Sequence, residues 1–219
     1  ISDISPHDLY GRLLPDECAA RSRGRLVDIK YSPSVFSYHF TTRRCYSDLP
    51  SMMVIFPGDL ENFCSQVYAR GVMPDELLLG VYRASFHDRS FSPEGGDHFS
   101  VYLSVPNLQS DIRWEEVSAQ LVDEIVARLE EYLLPDLAAN ILEGFHRTPL
   151  DLKSGCSLPH GAGFGRQVTK LALGKEFFPS EDPDIRNLYL VGHHTMPGPG
   201  LNAVLMSAQF AAARIPAPA

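Results

Sequence analysis

Nine residues near the end of the chain, Gly192-His193-His194-Thr195-Met196-Pro197-Gly198-Pro199-Gly200, restrict the fold more than any other stretch. Three glycines and two prolines in so short a space exclude regular structure there. The apolar run 187–191 before it reads as a short strand, and 202–215 after it as a helix. A strand, a Gly-rich loop and a helix in that order gather backbone N–H groups at a helix N-terminus. Peptide dipoles add positive character, so the place suits an electron-rich ligand edge.

Upstream, the pattern is that of a sheet. Residues 25–31 and 35–42 alternate and predict two strands separated by Ser32-Pro33-Ser34. In the second, Val35, Ser37, His39 and Thr41 face one way and Phe36, Tyr38, Phe40 and Thr42 the other. Residues 51–56 predict a third strand, after which Asp59 can cap a helix reaching about residue 69. Residues 77–87 and 98–105 predict a hairpin, with Phe99, Val101, Leu103 and Val105 on its packed face. The clearest helix is 114–134: Val117, Leu121, Ile125, Leu129 and Leu133 recur every four residues opposite an acidic side. A short helix, 136–142, and a strand-like stretch, 144–148, follow. The expected fold class is α/β (α+β): a mixed, largely antiparallel sheet with covering helices, plus the terminal strand–loop–helix.

Composition narrows the function. At 44% hydrophobic and 21% charged the chain is an ordinary globular sequence. A formal charge of −8 argues against nucleic acid as a partner. No apolar run is long enough to span a bilayer, which leaves peripheral contact with a membrane open. The cluster Arg21, Arg23 and Arg25 reads as a solvated surface rather than a lipid site. Cys18, Cys45, Cys64 and Cys156 are scattered, so free thiols in a reducing, cytoplasmic setting are expected and no metal site is. The first residues carry neither a basic lead nor an apolar core, so no signal peptide is expected there; the missing initiator Met suggests a processed or excised chain.

The residues from Asn187 read N-L-Y-L-V-G-H-H-T-M-P-G-P-G-L-N-A-V-L-M-S-A-Q-F-A-A. This resembles the closing stretch of the phytoene desaturase family, roughly N-L-Y-L-V-G-A-G-T-H-P-G-A-G-(L/I)-P-G-V-x-x-S-A-x-x-A-A. Ser32-Pro33-Ser34-Val35-Phe36, the run from Ser100 to Leu108, His160 to Gly165, and Leu9-Tyr10 with Leu13-Leu14-Pro15 are also similar to segments of that family. The chain departs from the pattern at His193-His194, at Met196 and at Asn202-Ala203. The family's pyrophosphate-binding G-x-G-x-x-G does not occur here.

The resemblance implies the C-terminal part of an FAD-dependent oxidoreductase that desaturates, saturates or isomerises an apolar polyene. It implies 1–24 as a crossover from an absent FAD-binding portion, 25–150 as the substrate-binding domain, and 151–219 as the return into a Rossmann-like FAD-binding fold. The absent portion, in the same or a separate chain, would be the partner, and this chain alone is expected to be inactive. Gly192, His193, His194, Thr195, Pro197, Gly198, Gly200, Leu201, Asn202 and Ala203 would meet FAD. The last five of these would lie along the flavin ring's N1–C2 carbonyl edge, and Gly192 and Thr195 by the ribityl–pyrophosphate side. Phe36, Tyr38, Phe40, Tyr82, Phe86, Phe99 and Tyr102 are candidates to line a path for the polyene, with plain sheet packing as the alternative for each. No acid or base has a catalytic signature. The competing class is a non-catalytic module that binds an apolar ligand or partner without FAD; an amine oxidase relative is a weaker third.

Overall fold

A computed structural model describes residues 1–27, 29–167 and 177–216. The chain forms two compact units, Pro33–Leu152 and a second made of Ile1–Ser32 with Lys153–Ala219.

The first unit is a five-stranded sheet built from β1 (Ser34–Thr42), β2 (Met52–Ile55), β3 (Leu79–Arg83), β4 (Asp97–Val105) and β5 (Ile141–Arg147). Their order across the sheet is β2-β3-β4-β1-β5, and every pairing is antiparallel. Strand alternation decides the two faces. Phe36, Tyr38 and Phe40 of β1 point with Phe99, Val101, Leu103 and Val105 of β4 into one buried cluster. The helix Trp114–Tyr132 covers that face with Leu121, Ile125 and Leu129, the stripe that its four-residue spacing predicts. Asp59 caps the helix Leu60–Cys64, its carboxylate accepting from Asn62 N–H at 2.8 Å.

Beneath the β1–β4 end lies one buried ionic centre. The Asp97 carboxylate accepts from Arg83 at 3.0 Å, Arg89 at 2.9 Å, Ser85 at 2.7 Å and the Tyr46 N–H at 2.6 Å. Burial alone would raise its pKa, but these donors outweigh burial and hold it below the ordinary value.

The second unit has little regular structure. Helical turns span Pro6–Asp8 and Leu9–Leu13, helices span Asp16–Gly24 and Leu201–Ala212, and a small core gathers Leu9, Tyr10, Ala19, Phe178 and Leu190. Tyr10 donates its hydroxyl to Asp182 at 2.5 Å inside it.

Four expectations need correcting. Residues 25–27 form a turn, because the N–H groups of Arg25 and Leu26 close the preceding helix on Ser22 and Arg23; among the described residues of 25–31 only Tyr31 makes a bridge, to Arg166. The strand predicted over 77–87 ends at Arg83, where the 3-10 turn Ala84–Phe86 lets Arg83 and Ser85 reach Asp97. The short helix after Pro135 covers only Leu137–Asn140, and β5 begins at once. Residues 187–191 make isolated bridges rather than a strand, since Asn187 turns at φ 62° and only Tyr189 and Leu190 pair.

Candidate cofactor loop and its pocket

The site is built from Ser2, Leu190 and the loop that follows Leu190. Ser2 and Leu190 run parallel: Ser2 N–H donates to Tyr189 O at 2.8 Å and Val191 N–H to Ser2 O at 2.9 Å. Leu190 N–H donates to Ser180 O on the other side at 2.9 Å. Beyond the carboxyl ends of these two segments opens a cavity of about 560 Å³, its wall including Asp3, Ser5, Asp8, Arg12, Leu158 and His193. In α/β folds, ligands bind in the crevice outside the carboxyl ends of parallel strands.

The glycines serve the loop's shape. Gly198 sits at φ 123°, and a Cβ there would stand 2.8 Å from the Phe177 ring, so neither the angle nor the space admits a side chain. Gly192 (φ 98°) places its N–H 2.9 Å from the Ser207 hydroxyl, pinning the loop's entry to the helix that leaves it. Thr195 is buried, its N–H on Gly192 O at 3.1 Å, while Phe178 pairs with both His194 and Met196.

The helix Leu201–Ala212 starts uncapped. Its N-cap is Gly200, which has no side chain to offer, and the first contact is Val204 N–H on Gly200 O at 2.9 Å. The amides of Leu201, Asn202 and Ala203 therefore end the helix as donors. Leu201 and Asn202 are exposed and Ala203 is half-buried.

The His193 and His194 rings lie with centroids 4.0 Å apart and planes tilted by 40°, packed so tightly against Gly165 that a Cβ there would come within 2.8 Å of both rings. Burial pushes the His194 pKa down to about 3, with repulsion from His193 adding to it; burial also lowers His193. Both rings are thus neutral at pH 7. Both Nε2 atoms, like the Ser5 hydroxyl, are buried without a hydrogen-bond partner. Among the described residues no group of three His, Cys, Asp or Glu could hold a metal ion.

These features fit a flavin nucleotide. Free amides at a helix start meet an electron-rich edge, and orphaned buried polar atoms signal absent partners. The loop residues Gly192, His193, His194, Thr195, Pro197, Gly198, Gly200, Leu201, Asn202 and Ala203 form one continuous wall-to-helix run, but only His193 lines the cavity. Asp3, Ser5, Asp8 and Arg12 escaped sequence reasoning. A short polar segment without periodicity gives no sign of where it will pack; the likeness over Leu9-Tyr10 and Leu13-Leu14-Pro15 marks the neighbourhood without assigning a role.

The six aromatic candidates of the sheet unit divide between faces. Phe36, Tyr38, Phe40 and Phe99 lie in the closed core, each at most 7% exposed. Tyr82 and Tyr102 point the other way, Tyr102 at 45% exposure. With them on that open face stand Met52, Val54, His39 and Phe145. His39 is held between the hydroxyls of Ser100 (2.9 Å) and Ser37 (3.0 Å) and stacks on Phe145 at 4.9 Å. Phe86, the seventh, is exposed and leaves the sheet on the turn after Arg83.

Comparison with known proteins agrees with the likeness of the sequence to phytoene desaturases. The phytoene desaturase (lycopene-forming) of Paracoccus sp. is 30% identical over 93% of this chain. The neurosporene-forming phytoene desaturase of Rhodobacter capsulatus is 29% identical over 99% of the chain, and the zeta-carotene-forming one of Myxococcus xanthus 29% over 94%. The chain spans only about two fifths of each of these phytoene desaturases: 41%, 42% and 40% of their lengths. No protein-family model matches. A solved oxidoreductase of Methanosarcina mazei overlays 91% of the chain and 39% of its own at a TM-score of 0.46 and 15% identity, too loosely to carry an argument. Among the described residues no helix is long and apolar enough to cross a membrane.

Proposed function

We propose that this chain supplies the C-terminal portion of an FAD-dependent oxidoreductase acting on an apolar polyene, such as a carotenoid precursor. The observation that carries the reading is the uncapped start of the helix Leu201–Ala212, set behind a loop whose Gly198 admits no side chain. FAD, when bound, supplies the two-electron chemistry; the protein contributes binding, orientation and a dry setting. The amides of Leu201, Asn202 and Ala203 would stabilise negative charge on the ring system, with Gly198 and Gly200 allowing close backbone approach. Gly192 and Thr195 would lie towards the ribityl–pyrophosphate side, with His193 and Ser5 giving neutral polar contacts. The domain division follows: 25–150 as the substrate domain, with 1–24 and 151–219 completing the FAD-binding one.

For the polyene, Tyr82 and Tyr102 on the open sheet face are the better contacts. Phe36, Tyr38, Phe40 and Phe99 would shape that face from behind by holding the sheet flat against its helix. No side chain is assigned as acid or base.

The test is a chimera in which this chain replaces the matched segment of the Paracoccus relative. Expected are a yellow protein with one flavin per chain, and loss of flavin in Asn202→Glu. A carboxylate there favours the helix through its dipole yet repels an anionic ligand edge, so binding is lost without loss of fold. This chain alone should hold little flavin. A folded but colourless chimera, or one that keeps its flavin in Asn202→Glu, would overturn the reading.

A further inference from the structure

The larger cavity has an annex. A cleft of about 280 Å³ is lined by His7, Arg12, Lys153 and His160, and Asp8 is the one carboxylate in its wall. It adjoins the larger cavity through Asp8, Arg12, Ser157 and Leu158, which line both. In a chain of formal charge −8 with histidines counted as neutral, Arg12 and Lys153 against Asp8 leave this wall with an excess of positive charge.

Of the four, only Arg12 has an ion-pair partner among the described residues. Arg12 spends one nitrogen on Asp8 at 3.2 Å and is otherwise exposed, leaving further N–H donors free. No ion pair among the described residues involves Lys153. His160 is made less basic by burial first and then by the nearness of His7 and Lys153. An anion placed among them would relieve that repulsion.

The backbone supplies a second observation. Four non-glycine residues among those described have a left-handed φ: Asp136, Ser157, His160 and Asn187. Two of them, Ser157 at 52° and His160 at 54°, line this cleft. Such conformations cost energy and persist where the surroundings hold a side chain in place, commonly at ligand clamps. The His160 ring is fixed further by Tyr31, whose ring centre lies 5.0 Å away.

We propose that this cleft is a phosphate-binding site, with Arg12 and Lys153 as its principal donors and His7 and His160 closing over the anion. The guanidinium suits two oxygens of one phosphate, and the Lys ammonium acts as a point charge. The phosphate would belong either to a soluble phosphorylated ligand or to a lipid headgroup. None of its four basic residues belongs to the flavin loop, although Arg12 also lines the larger cavity beside that loop.

Titration of this chain with sodium phosphate against sodium chloride of equal ionic strength, followed by the ring signals of His7 and His160 in NMR spectra, tests it. A saturable shift specific to phosphate is expected. Arg12→Gln and Lys153→Ala should each weaken it about tenfold, the loss of one charge-assisted hydrogen bond. Arg21→Gln, which removes a cation paired with Asp184 outside the cleft, should not. Thermal melts check that the exposed substitutions leave the fold intact. Flotation with phosphatidylcholine vesicles, with and without phosphatidylglycerol, separates the sources. Recruitment by the anionic lipid that Lys153→Ala abolishes identifies a headgroup; a phosphate response without recruitment identifies a soluble ligand. No saturable response to either probe, or one unchanged in both Arg12→Gln and Lys153→Ala, overturns the proposal.

Discussion

The sheet of Pro33–Leu152 and the segments of Ile1–Ser32 with Lys153–Ala219 face the same task, hiding apolar surface, and complete it to different degrees. Among the described residues the sheet unit buries 18 side chains in one cluster beneath a single long helix. Among the described residues the loop unit's cluster has five. Its terminal helix Leu201–Ala212 has no charged residue, yet Leu201 is 78% exposed, Leu205 59% and Met206 44%. Exposed large apolar side chains clustered on one uncharged helix mark a surface made to be covered. The contrast teaches that the helix-covered face of the sheet is a closed core, whereas the helix that carries the candidate flavin amides fits a fold with more chain packed around it.

Asp97→Ala should break the sheet unit most severely. It leaves the guanidinium of Arg83, 5% exposed, without its carboxylate, and losing one member of a buried pair costs about 3–5 kcal/mol. Urea unfolding followed by amide exchange would show the loss in β1, β3 and β4; a change below about 1 kcal/mol would mean the centre is better hydrated than it looks. Leu129→Ala, at a fully buried position of the long helix, should cost about 2–5 kcal/mol in the same assay.

Acid should separate the two units. A histidine with a pKa depressed in the folded state binds its proton more readily when unfolded, so stability falls as pH drops below the unfolded value of about 6.5. With His194 at about 3, the loop unit should lose about 2 kcal/mol by pH 5. His39 gives a weaker effect of the same sign in the sheet unit, because it is only partly buried. Asp97, whose pKa is lowered, keeps its contribution above about pH 4 and loses it only below. Exchange of loop amides should therefore quicken between pH 7 and 5 before that of the strands. Equal response in both units would erase the distinction. The smallest effect belongs to Leu205→Ala, expected within about 0.5 kcal/mol in this chain because so little of the side chain is covered.

What could be read from sequence was local. Alternation along 35–42 and 98–105 requires only successive residues, and the four-residue stripe from Val117 to Leu133 only one helix, so both faces and the covering helix were legible. The candidate loop was legible because its residues are consecutive. Alternation also held a warning: Phe36, Phe40 and Phe99 must oppose Tyr102, so a single lining of all these aromatics was never available. The strand expected from residue 25 does not start there because a helix end takes the N–H groups of Arg25 and Leu26 that a ladder would need. The pocket wall and the basic cleft were invisible for another reason. Arg12 and Lys153, or Ser5 and His193, meet only through tertiary folding, and no spacing rule links positions so far apart.

The most direct measurement is amide exchange across residues 198–203 in the chimera with the Paracoccus relative, compared between flavin-loaded and flavin-stripped protein. The amides of Leu201, Asn202 and Ala203 should exchange markedly more slowly when the flavin is bound, while those of β4 stay unchanged. Equal exchange at the helix start in both forms would contradict the assignment of that loop to the cofactor.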